Sequence, residues 1–286
     1  MLFHIFNYAF LTALAALCIL PLIHVLAVSF SSSLPASAGQ VTLWPVDFTW
    51  ASYEYVVQEP AFLRSLGITL LRVALGVSLN MFLTILVAYP LAKEVRQFRY
   101  RTAYAWAFVF SMLFSGGLIP MYMLIRSLGM IDTIWALVLP GAIPVFNVVL
   151  LLNFYRSLPK ELEEAAFMDG AGHWRTLWTL YVPLSLPALA TIGLFATVGH
   201  WNSWFDGIIY MNSPDNYPLQ SYLRTVVVQR DLSSMTYTEA LQESRQISDR
   251  TLKAAQIFLG ALPILLLYPF LQRYFMQGIV LGSVKG

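Results

Sequence analysis

A chain of 286 residues that is 58% hydrophobic, only 11% charged and +0.66 in mean hydropathy cannot cover a water-facing surface, because soluble domains average about 25% charged residues. The formal charge of +2 is too small to suggest a nucleic-acid partner. The one cysteine, Cys18, lies in an apolar run and excludes an internal disulfide or a cysteine metal cluster.

Six runs are long enough to cross a bilayer core as helix, which takes roughly 20 apolar residues. They cover approximately 6–30, 66–92, 102–125, 132–155, 184–211 and 254–276. Runs of this length are too long for barrel strands, so the expected fold is an all-α integral membrane protein, one transmembrane domain over residues 1–286. The first run continues through Phe30 without a basic region before it, so it reads as a retained spanning helix and not a cleaved leader. Pro21, Gly116–Gly117, Pro140, Gly141, Pro144, Pro187 and Pro263 interrupt the runs. The fourth is expected to be broken and to face protein or water.

Orientation follows from basic residues in short loops. Lys93, Arg96, Arg99 and Arg101 lie between the second and third runs, whereas residues 31–65 hold only Arg64. The 93–101 loop, the 156–183 loop and both termini are therefore expected in the cytoplasm, with 31–65 and 212–253 outside. Arg224, Arg230, Arg245, Arg250 and Lys253 in the latter segment pull the other way.

In the second run Arg72 either snorkels, the favoured reading, or makes an electrostatic contact to an acidic ligand or a companion chain. Asn80, Asn147 and Asn153 either tie helices together, the favoured reading, or line a path, and Asn147 is kept as a candidate for the path. His24 and His200 read as satisfied structural histidines. No cluster has metal-ligand spacing and no nucleophile–base set stands out.

Between the fourth and fifth runs stands the stretch "SLPKELEEAAFMDGAGHWRTLWTLYVPLS". Ser157 is a plausible cap and Pro159 suits a first turn. Glu161, Glu163 and Glu164 suit the positive end of a helix, and Gly170 or Gly172 can end it in the left-handed conformation. A second amphipathic piece runs from His173 to Leu180. A short helix of small residues below the membrane suits a groove on another protein; the alternative is a connecting loop. The fifth run ends "GHWNSWFDGIIYM". Trp201 with Phe205, and Asn202 with Asp206, are four apart and expected to share helix sides. With Tyr210 they suit a sugar, which has apolar ring faces and many hydroxyls; the alternative is an interfacial aromatic belt.

The stretch around Glu164-Ala165-Ala166 and Gly170 resembles the EAA loop of permease subunits in bacterial ABC importers, with Leu180 and Val182 before Pro183 where Ile and Leu are more usual. The flanks "FSGGLIPMYMLIRSLGMIDTIWALVLPGAIPVFN" and "LSLPALATIGLFATVGHWNSWF", and the ending "GIVLGSVKG", resemble carbohydrate permeases of the maltose-permease type over most of 66–286. The resemblance implies that the Glu161–Gly172 helix docks in a cleft of an ATP-hydrolysing subunit. Glu164 would make polar contacts, Ala165 and Ala166 would pack closely, and Asp169-Gly170 would shape the turn. Glu161, Ala171 and Arg175 complete that coupling set. The tail, with Gly282, Ser283, Val284 and Lys285, would reach the ATPase dimer interface.

The same resemblance implies a second homologous permease, an ATPase dimer carrying the ATP and Mg, an extracytoplasmic solute-binding protein and an oligosaccharide cargo in the bacterial cytoplasmic membrane. No cofactor is expected in this chain, which has no G-x-x-x-x-G-K-[ST] loop. An acidic, alginate-like cargo would give Arg72, Arg126 or the basic 224–253 region a purpose, while neutral oligosaccharides stay open. A secondary transporter would prefer buried carboxylates or histidines for ion coupling, and Asp206 is the one carboxylate well within a run. A membrane enzyme would need a convergent acid, base and metal set, which is not seen.

Overall fold

A computed structural model describes residues 2–233 and 248–283, and every regular element among them is helical. Among the described residues three helices are continuous and apolar enough to span a membrane: α1 (Leu2–Ser29), α4 (Pro60–Ala92) and the first part of α15 (Asp249–Ser283). At 1.5 Å rise per residue, the 33 residues of α4 extend about 50 Å. Between α1 and α4 lie two short helices, α2 (Ser33–Ser37) and α3 (Ala51–Gln58).

The third expected span is not one straight helix. Residues 102–125 form α5 (Arg101–Leu113) and α6 (Leu118–Ser127), bent by 111° at the intervening break. Gly117 there has φ +86°, a left-handed conformation that ends α5's path and starts another. The fourth run is broken as expected, into α7 (Ile134–Val138) and α8 (Val145–Ser157), with Pro140, Gly141 and Pro144 in the gap. After α9 (Lys160–Met168) come α10 (His173–Thr176), a π-helical turn (Leu177–Tyr181) and α11 (Val182–Leu184). An 82° bend separates this group from α12 (Leu186–Asn202). Pro183 and Pro187 each lack an amide donor, so the bend falls between them, at Ser185. The fifth expected span, 184–211, stops at Asn202 and resumes as α13 (Phe205–Tyr210); α14 is Leu219–Ser233.

The chain divides into two compact units, residues 1–66 with 219–265 and residues 67–218 with 266–286. In the first, the end of α1 packs Ala27 and Val28 with Ala36, Val41 and Ala254. Phe30 stacks on Tyr53 at 4.6 Å and on Phe48 at 5.3 Å, and Ser31 Oγ accepts the amide of Val46, so the 31–50 segment folds back on its own helix end. In the second, Ile85, Ala88, Tyr89, Val148, Leu151, Tyr155, Leu177, Tyr181 and Ile192 form the principal core. That core joins the end of α4 to α8, the π turn and α12, and the candidate site is built on it.

Candidate functional site

The helix α9 presents two unlike faces. Glu163 is buried and Ala166 and Phe167 are half-buried, at i, i+3 and i+4, so they share the inward side. Glu161, Glu164, Ala165 and Met168 are exposed on the other, Met168 at 88%. The C-terminus closes as expected: Gly170 has φ +79°, the Gly170 amide donates to Phe167 O at 3.0 Å, and the Ala171 amide donates to Ala166 O at 2.9 Å. This is the paired arrangement that satisfies the last carbonyls of a helix. Asp169, Gly172 and Arg175 are exposed and Ala171 is half-buried. Ser157 does not cap α9: its hydroxyl donates back to Phe154 O within α8, and Pro159 occupies the capping position.

The inward face is locked to the end of α4. Lys93 Nζ donates to Glu163 Oε1 at 2.6 Å and to the Tyr181 hydroxyl at 3.2 Å, while that hydroxyl donates to Glu163 Oε2 at 2.6 Å. The ammonium also sits 4.0 Å from the centre of the Tyr89 ring and 4.4 Å from that of Tyr181, a cation enclosed by two aromatic faces. Burial pulls the Lys93 ammonium below the usual lysine range, and the hydrogen bond and charge of Glu163 oppose that pull. Beside this buried pair runs an exposed one, Lys160 with Glu94, whose hydrogen bond and charge hold the Glu94 carboxyl below its usual range. Tyr89 and His173 Nδ1 meet at 3.1 Å. A cleft of about 530 Å³ adjoins the lock, lined by Lys93, Arg101, Arg156, Lys160 and both Glu163 and Glu164.

Lys93, Glu163, Tyr181 and Met168 were not singled out as site residues from the sequence. The signal was present but ambiguous: Lys93 counts equally as a loop charge and Glu163 as a helix-terminus acid.

A second polar group crosses the apolar interior. Arg72 is buried and does not snorkel; it is ion-paired with Asp206, with Nη1 donating to Oδ1 at 3.1 Å. Ser203 Oγ and the Gly207 amide also donate to Asp206 Oδ1, at 2.8 and 2.9 Å. The guanidinium reaches Leu137 O and Ser203 O at 3.4 Å. One and two turns further along α4, Gly76 receives the His200 ring and Asn80 Oδ1 meets His200 Nε2 at 3.0 Å. The Asn80 amide donates to Gly141 O at 2.9 Å and Ala142 O at 3.0 Å, satisfying carbonyls that the broken fourth run leaves free.

The remaining path candidates do not share one side. Because α12 ends at Asn202, the spacing of four no longer aligns Trp201 with Phe205 or Asn202 with Asp206. Trp201 is 3% exposed and Phe205 48%. Asn202 is exposed, Asn147 is buried on α8, and Tyr210 is buried beside Ile125, Leu137 and Met211. Gly282 and Ser283 lie in α15; Val284 and Lys285 lie outside the described residues.

Comparison with known proteins gives these features a context. Residues 75–280 match the family model "Binding-protein-dependent transport system inner membrane component". Protein LplC of Bacillus subtilis (strain 168) is 40% identical over 99% of this chain and 95% of its own length. The polygalacturonan/rhamnogalacturonan transport system permease protein YtcP of the same organism is 38% identical over 100% and 99%. Among solved structures, a bacterial ABC transporter involved in the import of the acidic polysaccharide alginate superposes with a TM-score of 0.89 at 31% identity, covering 96% of each chain. With a family match over residues 75–280 and full-length relatives at this identity, the chain belongs to the inner-membrane permease family of binding-protein-dependent ABC importers.

Proposed function

We propose that this chain forms half of the translocation path of an ATP-driven oligosaccharide importer and that α9 is its coupling lever. The observation that carries the reading is the division of labour on α9. Glu163 holds the helix to its own subunit, while Glu161, Glu164, Ala165 and Met168 are left exposed on a short, small-residue face. Such a face suits a groove of another protein. In this reading the groove belongs to an ATPase dimer that carries the ATP and Mg, and a second permease completes the path. Substrate arrives on a solute-binding protein. The α9 side and both termini are cytoplasmic, and residues Gly282 to Lys285 contribute to the ATPase contact.

The relatives named for polygalacturonan/rhamnogalacturonan and for alginate support an acidic oligosaccharide as cargo. The Arg72–Asp206 pair argues against ion-coupled transport through Asp206, since that carboxylate is already committed to a guanidinium. The test is the complex assembled with its ATPases in proteoliposomes. Uronate fragments delivered by the binding protein should stimulate ATP hydrolysis, and Glu164→Ala should weaken ATPase retention or uncouple uptake while membrane insertion persists. Stimulation by neutral fragments alone would remove the acidic cargo; full coupling in Glu164→Ala would remove the lever.

A further inference from the structure

The buried lock on the inward face of α9 has no counterpart among the residues that face the proposed groove. A helix of nine residues cannot transmit a push through its own length unless it is fixed to something that moves with it. Here the fixing is specific. Lys93 directly follows the last residue of α4, and Tyr181 closes the π turn that leads through α11 to α12. Glu163 hydrogen-bonds to both, one carboxylate oxygen to each, and the ammonium and hydroxyl are bonded to each other. Lys93 Nζ has aromatic faces on two sides and a carboxylate ahead of it, so its side chain has little freedom to follow α9 by changing rotamer. Displacing α9 therefore either carries the ends of α4 and the π turn with it or breaks a buried ion pair. The second course costs far more than breaking a surface pair.

We propose that Lys93, Glu163 and Tyr181 are positioning residues that pass movement of α9 to α4 and α12, the joint of the lever rather than its contact face. The proposal rests on the coupling reading of α9 given above. It gives the adjacent glutamates different partners, Glu164 the motor subunit and Glu163 the membrane helices. It also gives a role to a lysine that stands at the end of an apolar run with 6% side-chain exposure, where a solvated position a few residues later would serve orientation equally well.

The test uses the whole complex in proteoliposomes, with the binding protein loaded with an oligogalacturonate fragment. Three quantities are read: ATPase retained per permease, ATP hydrolysis with and without loaded binding protein, and uptake per ATP. Glu163→Gln and Lys93→Met should keep the ATPases bound yet lower uptake per ATP by about tenfold, the scale expected for a perturbed coupling network. Lys93→Arg, which keeps the charge, should restore most of it. If the variants lower uptake only in proportion to the amount of assembled complex, with uptake per ATP unchanged, the lock is merely structural and the proposal falls. Should those variants fail to assemble, Tyr181→Phe decides. It keeps the ion pair and the ring, and an unchanged uptake per ATP would overturn the joint. Glu164→Ala in parallel keeps the two readings apart. Loss of coupling there with full coupling in Glu163→Gln sinks the joint alone, whereas full coupling in Glu164→Ala sinks the lever itself.

Discussion

The His200 ring lies directly against the backbone of Gly76. A Cβ at that glycine would run into Nε2 and would stand 2.5 Å from Cε1 and 2.8 Å from Cδ2. The ring cannot simply swing aside, because Nε2 is held by Asn80, and Asn80 in turn holds the carbonyls of Gly141 and Ala142. Gly76→Ala should therefore destabilise the purified protein by about 1–3 kcal/mol, the usual cost of overpacking a close-packed interior. Adding His200→Ala should make the pair less unstable than the two single effects summed. Thermal unfolding in detergent reads both. Strict additivity would mean that the ring yields without disturbing its hydrogen bond.

The Arg72–Asp206 pair leads to an asymmetric expectation. Asp206→Asn leaves a buried guanidinium without its countercharge and should cost about 3 kcal/mol, the low end for breaking a buried pair because the Asp206 side chain is 23% exposed. Replacing both, as Arg72→Met with Asp206→Leu, should cost less than Asp206→Asn alone, since no uncompensated charge remains. A double replacement worse than the single one would show that Asp206 matters for its bonds to Ser203 and Gly207 more than for the charge it neutralises.

How far a sequence can reach is visible in these same residues. The apolar runs, the broken fourth span and an α9 helix ended by Gly170 or Gly172 were legible, because length, proline and glycine act locally; that the left-handed residue is Gly170 was not. The pairing of Arg72 with Asp206 was not. The two are 134 positions apart, and the break after Asn202 that turns the carboxylate toward the guanidinium depends on tertiary packing. The same break removed the helical register that would have aligned Trp201 with Phe205. Asn80 was legible in kind, as a residue tying helices together, but its partners Gly141 and Ala142 were not, since any of the freed carbonyls in the fourth run could have claimed it. The pairing of Lys93 with Glu163 was not legible either, because a charge near a helix end has an ordinary explanation at hand.

Asp132 supplies a pH dependence. Its carboxylate accepts the Asn216 side-chain amide at 3.0 Å and the backbone amides of Asn212 and Ser213 at 3.2 and 3.4 Å. The Asn216 hydrogen bond, helped more weakly by the Ser213 and Asn212 amides, holds the Asp132 carboxyl below the usual aspartate range against the opposing effect of burial. A depressed carboxylate pKa contributes stability that is fully present above the unfolded value, about 3.9, and is lost as pH falls through the folded one. Amide exchange at Asn212 and Ser213 should thus remain protected near about pH 6 and lose protection only as the pH falls below the unfolded aspartate value of about 3.9, after correction for intrinsic rates. In Asp132→Asn that change should disappear. Protection in the native chain that is flat across this range would show that the turn is held by its backbone bonds, such as Asp132 N–H to Tyr210 O at 2.9 Å.

Gly170 separates conformation from contact in the proposed lever. Its φ of +79° is costly for a residue with a Cβ, yet among the described residues nothing lies within 4 Å of where that atom would stand. Within the subunit, Gly170→Ala should therefore cost about 1 kcal/mol through the backbone alone, with no clash. Gly170→Asn should cost less, because asparagine tolerates the left-handed region. If the helix ending is what the ATPase contact requires, uptake per ATP should fall in the order glycine, asparagine, alanine. If instead a partner surface must approach the bare backbone at this point, asparagine is the larger intrusion and the order of the two variants inverts. Measuring both variants in the assembled complex, alongside the thermal stability of each permease, separates a turn that sets the angle of α9 from a surface that must stay small.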